Sequence, residues 1–255
     1  MNREIFLERM TWPQVKAALE SGTTTVVFAC GAVEQHGPHL PLFTDAEHGT
    51  ALAEKVARKL GNALVAPTVR VGCSEHHMHF PGTISLTAET LEAVCRDYCA
   101  SLSRHGFRTI CIIPSHGGNF APLEAMKERL REAVLPGTEV LVYTDLPEVI
   151  EIWRRVVQEA SGLGDRVGGH ADIAESSVML ALHPGLVRQE EAAPGCTEPV
   201  TPEFIRRIIS EGFHKVSPNG IIGDARGLSA EIGHRCIDAL ADTLAEYFAT
   251  ARSGP

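Results

Sequence analysis

The strongest constraint on this chain is a repeated pairing of charge-free apolar runs with longer helical stretches. TTTVVFACG (23–31) and TICIIPS (109–115) carry no charged residue and do not alternate polar with apolar. Strands that are apolar on both faces belong in a parallel sheet covered by helices on each side. NALVAPTVRVG (62–72) and TEVLVYTDL (138–146) supply two more strands. Helices are predicted over 46–60, 87–105, 121–134 and 147–160, over ADIAESSVMLALHP before Pro184, and over 230–252. The helix at 87–105 has the clearest ends: Thr87 or Thr90 as N-cap, Glu89 or Glu92 at the capping-box position, and Gly106 as stop. SGLGDRVGG reads as flexible, and 188–202, rich in Glu, Ala and Pro, as loop. The alternation predicts a three-layer α/β/α domain with a mostly parallel central sheet, one domain over residues 1–255.

Ligands of such sheets bind beyond the carboxyl ends of the strands, and two polar clusters begin there. GAVEQHGPHLPLFTDAEHG (31–49) holds six possible metal ligands: Glu34, His36, His39, Asp45, Glu47 and His48. It has no Lys or Arg, and Pro38 and Pro41 stiffen its middle. In an extended segment Glu34 and His36 share a face and could serve one metal or two neighbouring ones. The Asp45 carboxylate has two oxygens and could bridge a pair. His116 leaves the 109–115 strand with Gly117, Gly118 and Asn119 behind it, and glycines let backbone approach a ligand closely. Imidazoles and carboxylates without Cys favour Zn, Mn or Fe.

Two further clusters lie downstream. SEHHMHFPGT (74–83) places His77 two residues before His79 and ends in a turn suited to covering something. GGHADIAESS (168–177) places Glu175 five residues after His170. Near a helix start an imidazole tends to stay neutral, which suits His170 to proton transfer.

Other function classes are disfavoured. The net charge is −9 and no basic cluster stands out, so nucleic acid is not an expected partner. No apolar stretch approaches membrane-spanning length, and the opening MNREIFLERMTW interrupts its apolar residues with charge, unlike a signal peptide. Seven Cys without a Cys-x-x-Cys fit a reducing cytoplasm, with Cys30 and Cys111 as core residues. A phosphoesterase would want cations near the site, and the motif loops offer only Arg166 and Arg226.

The motifs GAVEQHGPHLPLFTD, S-x-x-H-x-x-FPGT, SHGGN, GGHADIAESS and NGIIGDARGLSAEIG resemble the creatininase (creatinine amidohydrolase) family along most of the chain. The resemblance implies two divalent ions per chain and hydrolysis of a C–N bond by water activated between them. It implies Glu34 and His116 on one metal, His36 on the other, Asp45 bridging, His170 as the catalytic histidine, and Ser74 in contact with substrate. His77, Gly117 and Gly118 would border the substrate. A small amide is the expected partner, and a homo-oligomer, commonly a hexamer in the family, the expected assembly.

The chain departs from the creatininase pattern at two places. Creatininases carry His-Tyr-Glu after the third strand, with Glu a ligand and Tyr touching substrate; here those positions are Gly117 and Gly118. The family's Trp-Asp pair before the catalytic histidine is replaced by Arg166, Val167, Gly168 and Gly169. Glu175 is the expected substitute ligand. The expectation is therefore an amidohydrolase other than a dedicated creatininase, closer to the HGGN-type members. These include the mycofactocin-maturation peptidase and formamide-hydrolysing enzymes. The alternatives are a peptidase of the mycofactocin type and a catalytically silent metal-binding scaffold. Within 31–49, His39 is expected to shape the turn and Glu47 and His48 to begin the helix.

Overall fold

The computed structural model describes residues 3–251. Helix α1 (Trp12–Glu20) leads into β1 (Thr25–Cys30), then α2 (Thr44–Leu60), β2 (Ala63–Val65), α3 (Ala88–His105), β3 (Thr109–Pro114), α4 (Gly117–Glu132) and β4 (Glu139–Val142). After these come α5 (Leu146–Ser161), β5 (Val167–His170), α6 (Ile173–Leu182), α7 (Pro202–Glu211), the short α8 (Phe213–Val216), β6 (Ile222–Gly223) and α9 (Ala230–Ala251). β1 to β4 form a fully parallel sheet in the order β2-β1-β3-β4, and β5 and β6 pair antiparallel in a second, small sheet.

Every residue of β1 and β3 is buried. With no polar face to show to water, these strands must be covered on both sides. The helices do so in two groups: α3 packs with α4, and α9 packs with α2, α5 and α6. The charge-free composition of the two runs is thus explained by their central place.

Register puts the site where it is. Cys30, the last residue of β1, lies beside Pro114, the last of β3. The segments 31–48 and 115–119 therefore leave one rim side by side. The chain crosses from β1 outward to β2 and returns past β1 to β3, so this rim is the point at which the strand order switches direction.

Several expected boundaries move. The 62–72 strand shrinks to Ala63–Val65 with a single further bridge from Val69 to Cys30, because Pro67 interrupts the ladder. Strand 138–146 shortens to Glu139–Val142. Helix 46–60 starts at Thr44, so Asp45 sits in its first turn rather than before it. Helix 121–134 starts at Gly117, directly after His116, and holds Pro122 inside. α3 matches the expected 87–105 helix: the Thr87 side chain accepts from the Thr90 N–H, and Gly106, at φ +105°, ends it. The last helix runs from Ala230 to Ala251; its expected end at 252 lies outside the described residues.

SGLGDRVGG is not simply flexible. Its second half forms β5, because the Asp172 carboxylate accepts the N–H groups of Gly168 (2.8 Å) and Gly169 (2.7 Å) while capping α6 through Ala174 and Glu175. The α7–α8 segment had no expected structure. Its residues Phe204, Ile208 and Phe213 form a small apolar cluster with Ile222, apart from the main core. Cys30 and Cys111 are core residues. Among the described residues no helix is long and apolar enough to cross a membrane.

Candidate metal centre

The extended segment after β1 turns Glu34 and His36 to the rim, and α2 brings Asp45 back to meet them. Glu34, His36, Asp45, His116 and Glu175 are each at most 5% exposed. Asp45 stands at the middle: its Oδ1 lies 3.2 Å from His36 Nε2, and its Oδ2 lies 3.2 Å from His116 Nδ1. On the His116 side, Glu34 Oε1 is 3.3 Å from His116 Nδ1 and 3.3 Å from His77 Nε2. On the His36 side, Glu175 Oε2 is 3.7 Å from His36 Nε2. Both oxygens of Glu34 and Oδ2 of Asp45 are buried without any hydrogen-bond partner. Buried carboxylate oxygens left in this way are costly, and a bound cation would offset the cost.

Three imidazoles are pinned at one nitrogen by a main-chain carbonyl and offer the other to the cluster. His36 Nδ1 lies 3.1 Å from the Glu34 carbonyl, His116 Nε2 3.0 Å from that of Cys73, and His170 Nε2 3.0 Å from that of Gln35. Metal-binding histidines are oriented by such outer partners. Three groups have ligand atoms within 4.8 Å of one another: Glu34 with His36 and Asp45, His36 with His170 and Glu175, and Glu34 with His77 and His170.

The electrostatics follow from crowding. Burial works against a charge on His36, yet Asp45, Glu175 and Glu34 together raise its pKa to about 10. His116 is likewise raised, against burial, by Glu34 and Asp45. Burial would raise Asp45, but His36 and His116 hold it far below the carboxylate range. Glu175 is pushed up to about 8 by burial, partly opposed by His36. His170 falls well below its ordinary value through burial and the neighbouring His36 charge.

Other expected site residues fall differently. His77 is not only a cavity wall; it reaches Glu34. Ser74 is fully buried, with its hydroxyl 3.4 Å from His116 Nε2. Gly117 and Gly118 do line the cavity. A Cβ added at Gly118 would overlap the Cys73 carbonyl oxygen and His116 Nε2, so no side chain fits there in this backbone. His39 ties the loop to α6 through Ser176 (2.7 Å), and Glu47 pairs outward with Arg70 and His183. His48 is buried beside Trp153, their ring centroids 5.1 Å apart. Arg166 and Arg226 both pair with Asp224 and do not line the cavity.

Gln35 was not anticipated. Its amide oxygen accepts the Gly37 N–H, which turns its NH2 to His77 Nδ1 at 2.9 Å, while its main-chain carbonyl accepts His170 Nε2–H at 3.0 Å. The available signal was its place between two ligands, where alternation turns it to the opposite face.

Above the cluster a cavity of about 110 Å³ opens on Glu34, His77, His116 and His170. Its roof comes from α7 and Phe213, not from the 80–83 turn, whose Phe80 packs behind them.

The model of the creatinine amidohydrolase family (Creatininase) matches residues 8–248. The chain belongs to the creatininase family. The creatinine amidohydrolase of Pseudomonas putida is 29% identical over 97% of this chain and 99% of its own length. The mycofactocin precursor peptide peptidase of Mycolicibacterium smegmatis is 34% identical over 85% of this chain and 81% of its own. A solved manganese creatininase superposes with a TM-score of 0.74 at 27% identity, over 96% of this chain and 99% of that one. The four-stranded parallel sheet flanked by helices is the architecture of these relatives.

Proposed function

We propose that this chain is a metal-dependent amidohydrolase that cleaves the C–N bond of an amide, cyclic amide or formamide, using two divalent ions of the Zn, Mn or Fe type. The two-sided surroundings of Asp45 carry the reading: one oxygen faces His36, the other His116, each at 3.2 Å. Glu34 and His116 would hold one ion, His36 and Glu175 the other, with Asp45 between them. The donor set is imidazole and carboxylate only, which suits these metals. When bound, the ions supply Lewis acidity toward water and toward the amide carbonyl.

The rest of the chemistry belongs to the chain. With its Nε2–H given to the Gln35 carbonyl, His170 keeps the Nδ1 lone pair toward the cluster, 3.9 Å from Glu34 Oε1. Kept neutral by burial, it takes a proton from the incoming water and passes it to the leaving nitrogen. Gln35 is the positioning residue for His170 and His77. Gly117 and Gly118 remove the tyrosine and glutamate that the creatininase pattern carries, so creatinine is not the preferred substrate. A peptide amide is the second reading, favoured by the 34% identity to the mycofactocin peptidase. Residues 1–255 act as one domain, and the assembly is a homo-oligomer, to be measured by sedimentation.

Asp45→Ala tests the centre. Elemental analysis should find two ions per wild-type chain and none in the variant, with activity lost; two ions retained in the variant would refute a bridging Asp45. Efficient turnover of creatinine would overturn the substrate statement. A metal-loaded chain inert toward formamides, cyclic ureides and short peptides would be the silent scaffold instead.

A further inference from the structure

The cavity above the centre has a composition that the cluster beneath it does not require. Its walls are Leu146 and Ile150 from α5, and Phe204, Ile205, Ile208 and Ile209 from α7. No Lys or Arg lines it among the described residues. The cations of α7 lie on its other side, where Arg207 pairs with Glu198 at 2.9 Å. Ile209 is 63% exposed at the cavity wall, where it carries the apolar lining out to the surface. The floor is open as well: a Cβ at Gly117 would meet nothing within 4 Å.

We infer that the substrate carries a bulky apolar group, branched aliphatic or aromatic, beside the scissile amide, and no carboxylate or phosphate there. This rests on the amidohydrolase reading for the bond and on the cavity for the group. An apolar group entering between α5 and α7 replaces water on both partners, and covers Ile209. An anionic group between α5 and α7 would lose its hydration against apolar walls with no Lys or Arg to pair with. α7 and the open position at Gly117 are therefore the determinants of specificity. The bound group is held by surface, so its contribution scales with its area, and a Leu-sized side chain strengthens binding by at least about tenfold over hydrogen.

The test uses the zinc-loaded full chain and four probes: N-acetylglycinamide, N-acetylleucinamide, N-acetylphenylalaninamide and the free acid N-acetylleucine. Calorimetry gives Kd while product formation is followed in parallel. The leucine and phenylalanine amides should bind at least about tenfold tighter than the glycine amide, and the acid at least about tenfold weaker than the leucine amide. Ile209→Asp, at an exposed position where folding is not at stake, should cut the apolar advantage to below about threefold. Gly117→Tyr, which fills the open floor, should do the same.

Equal Kd for the three amides, a preference for the acid, or no binding by any probe overturns the inference. So does an Ile209→Asp protein that changes its sedimenting mass while keeping the full ranking, since that assigns Ile209 to a subunit contact. The ranking without cleavage refutes the amidohydrolase reading and leaves the pocket assignment standing. Cleavage without the ranking does the reverse.

Discussion

The floor and the roof of the cavity are built on opposite plans. The floor rests on β1 and β3, whose residues are all buried, and it gathers three buried carboxylates and several imidazoles at one rim. The roof is a short amphipathic helix and a four-residue turn of helix, held by Phe204, Ile208, Phe213 and Ile222 in a cluster of their own. Crowded charge needs a rigid frame, because both Glu34 oxygens and Asp45 Oδ2 must keep their places without a hydrogen bond. An apolar wall needs only area. The difference teaches that precision at this site is supplied by the sheet, and selectivity by an appendage that can vary without touching it.

Truncations should show that difference most plainly. Phe28→Ala, in the middle of β1 and fully buried, should cost about 3–5 kcal/mol of global stability in a denaturant titration. Phe204→Ala should cost less, with its effect confined to faster hydrogen exchange in α7 and α8. If the two variants lowered global stability equally, roof and floor would be one cooperative unit and the comparison would fail.

The next effect concerns pH in the metal-free chain. Burial pushes His39 and His48 down to about 4 and His76 to about 3, so between those values and 6.5 the unfolded chain takes up protons that the folded chain refuses. Their contribution is complete above 6.5 and is lost as pH falls. His77 and His170, lowered by burial, act in the same sense, and Glu175, raised to about 8, runs the other way over this range. The net effect of lowering the pH from 6.5 to 4.5 should be a loss of stability. Above 6.5 the sign reverses: His36, raised to about 10, holds a proton that only the folded state keeps, so stability falls again. Denaturant titrations across pH should therefore peak near neutrality, and a steady rise from pH 5 to 9 would contradict the charge arrangement of the floor.

Gln35→Leu should have the smallest effect of the three, and one confined to the floor. Losing an outer partner of site imidazoles weakens metal affinity or activity by about 10–100-fold. The fold should be unaffected and the preference for apolar probes unchanged. A variant with normal metal affinity and rate would show that His77 needs no outer partner at Nδ1.

How far the chain could be read in advance differed by kind of signal. β1 and β3 were legible because a charge-free run has few places to go. Glu34, His36, Asp45 and His116 were legible because acids and histidines at strand ends share a rim in a parallel sheet. The β5 segment was misread because its glycines speak of flexibility, while Asp172, which holds them, lies beyond the run. PEFIRRIISE carries an amphipathic pattern, but which surface its apolar side covers is decided by tertiary packing. Gln35 was missed because position next to a motif does not say which way a side chain faces.

The lack of room at Gly118 has a consequence for engineering and for descent. Restoring the glutamate of the creatininase pattern by one codon change would drive its Cβ into the Cys73 carbonyl and the ring of His116, the imidazole it ought to assist. That residue can be transplanted only together with a rebuilt 73–76 segment. The step between the two kinds of site is thus a cliff rather than a slope: intermediate sequences that carry the acid without the loop lose the geometry of a ligand they already had.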